Sequence, residues 1–143
     1  GLFERKDFTS LAATTMAAEQ AYRMAKIQPR DVNLAEVHDC FTVMGAIGTE
    51  VIGKAEPGKG AKYWVEGKAN VGGECAINTS GGLIAKGHPV GATGVAMVGW
   101  AAQQLLGRAP QETQVKDPKL AATFNIGGPI CASVCTGLRR ASA

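Results

Sequence analysis

Two histidines and four cysteines are the side chains of this sequence best suited to chemistry, and their surroundings rank them. His38 and Cys40 fall in His38-Asp39-Cys40-Phe41, directly after the run Leu34-Ala35-Glu36-Val37. They straddle the end of a predicted strand, where open α/β sheets place their ligand groups. His88 stands in Gly87-His88-Pro89-Val90-Gly91-Ala92-Thr93-Gly94, preceded by Gly81 and Gly82 and followed by an apolar segment, Val95 to Leu106. Glycine permits positive φ and close approach, and Pro89 fixes the turn after the histidine. The imidazole is therefore presented from a shaped loop at the start of a helix. There, unpaired N–H groups and the helix dipole favour an anion or a developing oxyanion and lower the pKa of a nearby thiol. A thiol beside two imidazoles suits proton transfer at carbon. The turn Gly127-Gly128-Pro129 offers backbone N–H donors to an oxyanion. Carbonyl or acyl chemistry is what these parts share.

Simpler readings stand beside these. His38-Asp39 serves equally well as a cap for the helix that follows, and His88 could sit in an ordinary core or surface loop. Cys131 and Cys135, four apart on one face of a terminal strand, read as buried apolar thiols, and Cys75 lies in uninformative loop sequence. No C-x-x-C pair supports a zinc site or a redox dithiol, so no metal is expected. The phosphate-binding G-x-x-x-x-G-K-[ST] pattern does not occur, and the glycines after residue 81 do not follow a clean strand as a dinucleotide fingerprint requires.

The elements that must hold these groups follow from periodicity. Leu11, Thr15, Ala18, Tyr22 and Ala25, widened by Ala12 and Met16, predict a helix from about Asp7 to Ile27, capped by Asp7, Thr9 or Ser10 and ended by Pro29 and Asp31. A strand is predicted over Leu34 to His38 and a helix over Thr42 to Ile52, stopped by Gly53. Residues 54 to 80 read as a long loop broken by short pieces. The helix from Val95 to Leu106 is apolar on most sides, as one enclosed within a domain would be. After a surface connection over Gly107 to Asp117, strands Leu120 to Ile126 and Ile130 to Leu138 form an antiparallel pair around the glycine turn. The order is α/β with a mixed sheet. An initial helix normally crosses over from a parallel strand, and none precedes Asp7, so the first strand is expected to be missing and the chain to be part of a larger unit.

Bulk properties are those of one domain: 143 residues, 45% apolar, with no initiator methionine. The 15 basic and 12 acidic residues are interspersed, which argues against nucleic acid. Apolar runs fall well short of the roughly 18 residues of a membrane span, and Gly1 to Ser10 has no secretory pattern. Four unpaired thiols fit an intracellular enzyme.

Taken in order, His38-Asp39-Cys40-Phe41, Gly87-His88-Pro89-Val90-Gly91-Ala92-Thr93-Gly94 and Asn125-Ile126-Gly127-Gly128-Pro129 resemble the C-terminal half of a thiolase over nearly the whole chain. Most thiolases carry Asn-Glu-Ala-Phe where this chain has His-Asp-Cys-Phe. That substitution is typical of the sterol-carrier-protein-type thiolases, and Gly81-Gly82-Leu83-Ile84-Ala85-Lys86-Gly87-His88-Pro89 supports the same subfamily. The resemblance implies an acyl-CoA thiolase that cleaves 3-oxoacyl-CoA with coenzyme A or runs the reverse condensation, in lipid or sterol metabolism.

By that resemblance His88 would activate the nucleophilic cysteine and hydrogen-bond the thioester oxygen, and His38 would help to bind a thioester oxygen, directly or through water. The family's second cysteine, in a Cys-x-Gly motif, is Asn125 here, so Cys40 would move the proton at the substrate α-carbon. The Gly127 N–H would complete an oxyanion hole. The acyl-accepting cysteine and most of the coenzyme A contacts belong to the family's N-terminal half, so the isolated chain is expected to be inactive.

Coenzyme A would be a substrate, with no permanently bound cofactor, and the intact protein a homodimer or tetramer in peroxisome or mitochondrion of a eukaryote, or the cytoplasm of a bacterium. The alternatives are a thiolase-fold carbon–carbon lyase of the aldolase kind and a non-catalytic partner of a complementary chain.

Overall fold

The computed structural model describes residues 11–128 and 130–141. The expected helix start and caps at Asp7, Thr9 and Ser10 lie outside these residues, as does Pro129 of the turn. The sheet has four strands, β1 (Leu34–Val37), β2 (Ala76–Ile77), β3 (Leu120–Gly127) and β4 (Ala132–Arg139), in the order β2-β1-β3-β4. β2, β1 and β3 run parallel and β4 is antiparallel to β3, with Gly127 opposite Ala132 at the turn. The mixed sheet and the antiparallel pair are as expected.

Alternation along β1 and β3 sends side chains to two faces. Ala35, Val37, Ala122, Phe124 and Ile126 join the larger core with Tyr22, Met44 and Ile52, which come from α1 (Ala12–Ala25) and α2 (Thr42–Val51) with its flank. Leu34 and Ala121 face the other way, onto Ala101 and Leu105 of α5 (Thr93–Leu105). β1 is buried on both faces, as a central parallel strand must be.

Three expectations need correction. The buried positions of α1 are Thr14, Ala18 and Tyr22, so Thr15 is replaced by Thr14, whose hydroxyl donates to the Leu11 carbonyl; Met16 is 66% exposed. Lys26 in a left-handed conformation ends that helix before Pro29 is reached. The 54–80 stretch is a loop broken by short pieces as expected, α3 (Gly60–Val65) and β2; it is the loop after it that differs, because it carries a single helical turn, α4 (Gly82–Lys86), too short to show a period in the sequence.

The third correction bears on the site. α5 packs Met97, Ala101 and Leu105 inward but leaves Val95 76% exposed and Gly99 exposed, so it is not an enclosed helix. Ile84 and Val90, from the two segments before it, are 61% and 82% exposed. None of the helices among the described residues is long and apolar enough to cross a membrane.

Candidate active site

His38 directly follows β1, Thr79 follows β2 and Asn125 lies near the end of β3, so the carboxyl ends of the three parallel strands meet at one edge. Where β2 stops, the side chain of Asn78 continues its pairing. Val37 N–H donates to Asn78 Oδ1 at 2.7 Å, and Asn78 Nδ2 donates to the Val37 carbonyl at 3.1 Å. That junction aims the chain from β2 across the end of β1 and into the His88 loop.

Two carboxylates on the β1 side fasten the loop. Asp39 Oδ1 accepts from Leu83 N–H at 2.7 Å, and at Gly82, with φ of 65°, a Cβ would come within 2.1 Å of Asp39 Oδ2. Only glycine fits so close an approach at that φ. Asp39 therefore tethers α4; α2 starts at Phe41 with no side-chain cap, which corrects the capping reading of His38-Asp39. Glu36 is 1% exposed and accepts from the Ser80 backbone N–H at 3.2 Å and from the Ser80 hydroxyl, with Lys86 Nζ 3.9 Å away.

Burial raises the Glu36 pKa above the ordinary carboxylate range, against the lowering pull of Ser80 and Lys86. A carboxyl whose folded pKa is raised contributes stability that is full below its unfolded pKa and is lost as pH rises through the folded pKa. Glu36→Gln mimics the protonated form and keeps an acceptor for the Ser80 backbone N–H, while its amide NH₂ faces the Ser80 hydroxyl as a donor. Its urea midpoint relative to the parent is expected to improve as pH climbs from 5 to 8; a difference that is constant, or that moves in the parent's favour as pH rises, would contradict this.

The groove so framed has a volume of about 740 Å³ and takes in His38, Cys40, His88, Asn125, Gly127 and Gly128, with Phe41, Met44, Val90 and Val134 as its apolar wall. All four residues singled out from the sequence, His38, Cys40, His88 and Gly127, thus line one cavity. The two imidazoles meet edge to face with centroids 4.8 Å apart. His38 is 3% exposed, whereas His88 is open to solvent.

Each ring is held through Nδ1. His88 Nδ1 lies 2.7 Å from Thr93 Oγ1, and that hydroxyl donates to the Pro89 carbonyl at 3.2 Å. With its one proton committed, the hydroxyl accepts from His88 Nδ1–H, which leaves a lone pair on Nε2 of the neutral ring. A base with a fixed tautomer is the result. Thr93 sits in the glycine loop sequence but carried no role in the sequence reading; its place five residues after His88, at the first turn of α5, is the signal that could have found it.

Electrostatics correct one expectation. Burial pushes the Cys40 thiol up, and backbone hydrogen bonding near Phe41 lowers it by less. The helix-end field does not make this thiol a ready thiolate. Desolvation, reinforced by neighbouring His88, holds His38 below the ordinary histidine value.

The other cysteines separate clearly. Cys75 is fully buried and its thiol is pushed up to about 12, and Cys135 is half-buried and pushed up to about 11, both by desolvation. Cys131 is exposed and lies in the turn before β4, not on a strand face beside Cys135.

Known proteins resemble this chain in sequence and in fold. A family model described as Thiolase C-terminal domain-like matches residues 1–140. An acetyl-CoA acetyltransferase of Methanothermobacter thermautotrophicus is 42% identical over 127 residues, covering 89% of this chain and 33% of the relative. Human sterol carrier protein 2 is 38% identical over 128 residues, covering 87% of the chain and 23% of the relative. The chain therefore spans a third or less of these curated proteins. Among solved structures, an Ltp2-ChsH2(DUF35) aldolase superposes with a TM-score of 0.75 over 94% of the chain and 33% of that chain, at 21% identity, a likeness of fold. Motifs, sheet and family match converge, and the chain belongs to the thiolase family as a member with its C-terminal domain-like sequence.

Proposed function

We propose that the intact protein is an acyl-CoA thiolase and that this chain supplies the acid–base and oxyanion half of its site. The observation that carries the reading is the shared groove, in which His38, Cys40 and His88 stand together beside the Gly127-Gly128 turn. An acetyl-CoA acetyltransferase relative at 42% identity supports it. In the thiolysis direction a cysteine outside this chain attacks the 3-oxo carbon after giving its proton to His88 Nε2. The C2–C3 bond breaks, the acyl group stays on sulfur, and its electron pair becomes the enolate of the departing acetyl thioester. Cys40, kept as a thiol by burial, protonates that carbon and becomes the thiolate that accepts the proton of incoming coenzyme A, whose sulfur then takes the acyl group while the released cysteine thiolate recovers its proton from His88. Coenzyme A is thus substrate and product carrier. The apolar wall of Phe41, Met44, Val90 and Val134 suits an acyl chain.

A second reading, a carbon–carbon lyase of the aldolase kind, draws on the aldolase among the structural neighbours. Retro-aldol cleavage needs a base and an oxyanion site but no acyl-accepting thiol and no free coenzyme A. Product analysis separates the two. The purified intact protein is expected to consume 3-oxoacyl-CoA only when free coenzyme A is added and to release acetyl-CoA; cleavage of a 3-hydroxyacyl thioester without coenzyme A would replace this reading with the lyase.

A further inference from the structure

Asn125 stands in the groove without a role in the chemistry described above. Its Oδ1 lies 2.5 Å from His38 Nδ1, and its Nδ2 packs against Gly94 so tightly that a Cβ there would approach to 2.9 Å. β3, which carries Asn125, pairs in parallel with β1, and His38 follows β1 directly, so neighbouring strands fix both partners. We propose that Asn125 is a positioning residue that keeps the proton of neutral His38 on Nδ1 and so makes Nε2 a hydrogen-bond acceptor toward the groove.

An amide carbonyl oxygen only accepts, so the ring nitrogen facing it must carry hydrogen. Neutral imidazole has one such hydrogen, and Nε2 is left with a lone pair. Burial favours the neutral ring; the charged and titratable groups acting on it are His88 and Lys86, which oppose its protonation, and Asp39, which favours it. Neutral His38 therefore does not donate to a thioester oxygen directly. It holds a donor instead, and one water can give one hydrogen to Nε2 and the other to the substrate oxygen. The identity of that oxygen rests on the thiolase reading; the tautomer does not.

The test is nitrogen NMR of the intact protein labelled with ¹⁵N-histidine, the His38 signals being assigned by their loss in His38→Gln. At pH 7 the parent is expected to show a protonated, pyrrole-type Nδ1 and a pyridine-type Nε2. Asn125→Ala should shift the population toward Nε2–H and lower kcat/KM about 10-fold, as removing an orienting partner of a site histidine does. Asn125→Asp should keep the proton on Nδ1, raise the His38 pKa and move the acidic limb of the pH–rate profile upward. A parent with Nε2 protonated, or an unchanged tautomer in Asn125→Ala, overturns the proposal. If the tautomer behaves as stated while no thiolysis is found, the reaction assignment fails and the role of Asn125 stands.

Discussion

Replacing His88 with alanine in the intact protein is expected to slow acyl-enzyme formation and steady-state thiolysis together, by about 10³-fold, within the range for loss of a positioned general base. The ring is pre-set for the task. Thr93 and the Pro89 carbonyl commit its Nδ1, which leaves Nε2 as the basic nitrogen, and the 4.8 Å edge-to-face contact with His38 limits its rotation. His38 does not substitute for it, because its ring is buried and its pKa is held low by desolvation. Stopped-flow or quenched single-turnover measurement of the acyl intermediate reads the first step, and coenzyme A-dependent turnover reads the whole. Acylation at the parental rate in His88→Ala would remove His88 from nucleophile activation. Thr93→Ser, which keeps the hydroxyl, should stay close to the parent, and this guards against mistaking a collapsed loop for a lost base.

What could be read in the sequence follows the range of each interaction. β1, α2 and the β3-β4 pair declare themselves because their apolar periodicity and glycine stops are local. α4, five residues bounded by Gly81 and Gly87, is too short to show any period, and β2 has only two residues. The misjudged face of α1 turns on Thr14, which is buried because its hydroxyl is satisfied within its own first turn. Apolar character shows what a helix can bury and not what lies over it, which is why α5 looked enclosed yet exposes Val95. The same division holds in the site. His38, Cys40, His88 and Gly127 stood out by type and by turn chemistry, whereas the partner that orients His38 is 87 positions away and Ser80, which meets Glu36, is 44 away. Such pairs exist only once the parallel strands bring their ends together.

Cys40→Ser in the intact protein is expected to cost roughly 100-fold or more in carbon–carbon cleavage or condensation while leaving acyl transfer onto the upstream cysteine close to the parental rate when a simple acyl-CoA donor is used. The asymmetry follows from what each step asks for. Acyl transfer from a simple thioester breaks a carbon–sulfur bond and needs a base at the nucleophile, the role proposed for His88, and a donor at the oxygen, the role proposed for the water held on His38 Nε2. Cleavage between C2 and C3 leaves an enolate, and that carbon must receive a proton from a group able to take another back in the next half-reaction. Burial keeps Cys40 protonated at neutral pH, the state that thiolysis requires at that moment, yet a thiol can still cycle; a serine hydroxyl has nearly the same shape and far too high a pKa. The same reasoning sets a pH signature. Because the thiol pKa is raised, condensation, which begins with Cys40 as thiolate, should gain rate with rising pH further into the alkaline range than thiolysis does, and Cys40→Ser should abolish that difference. Parallel single-turnover acylation and thiolysis assays across pH decide the matter. Equal losses in both reactions would make Cys40 a packing residue beside Met44, and undiminished thiolysis would move the proton shuttle to another side chain.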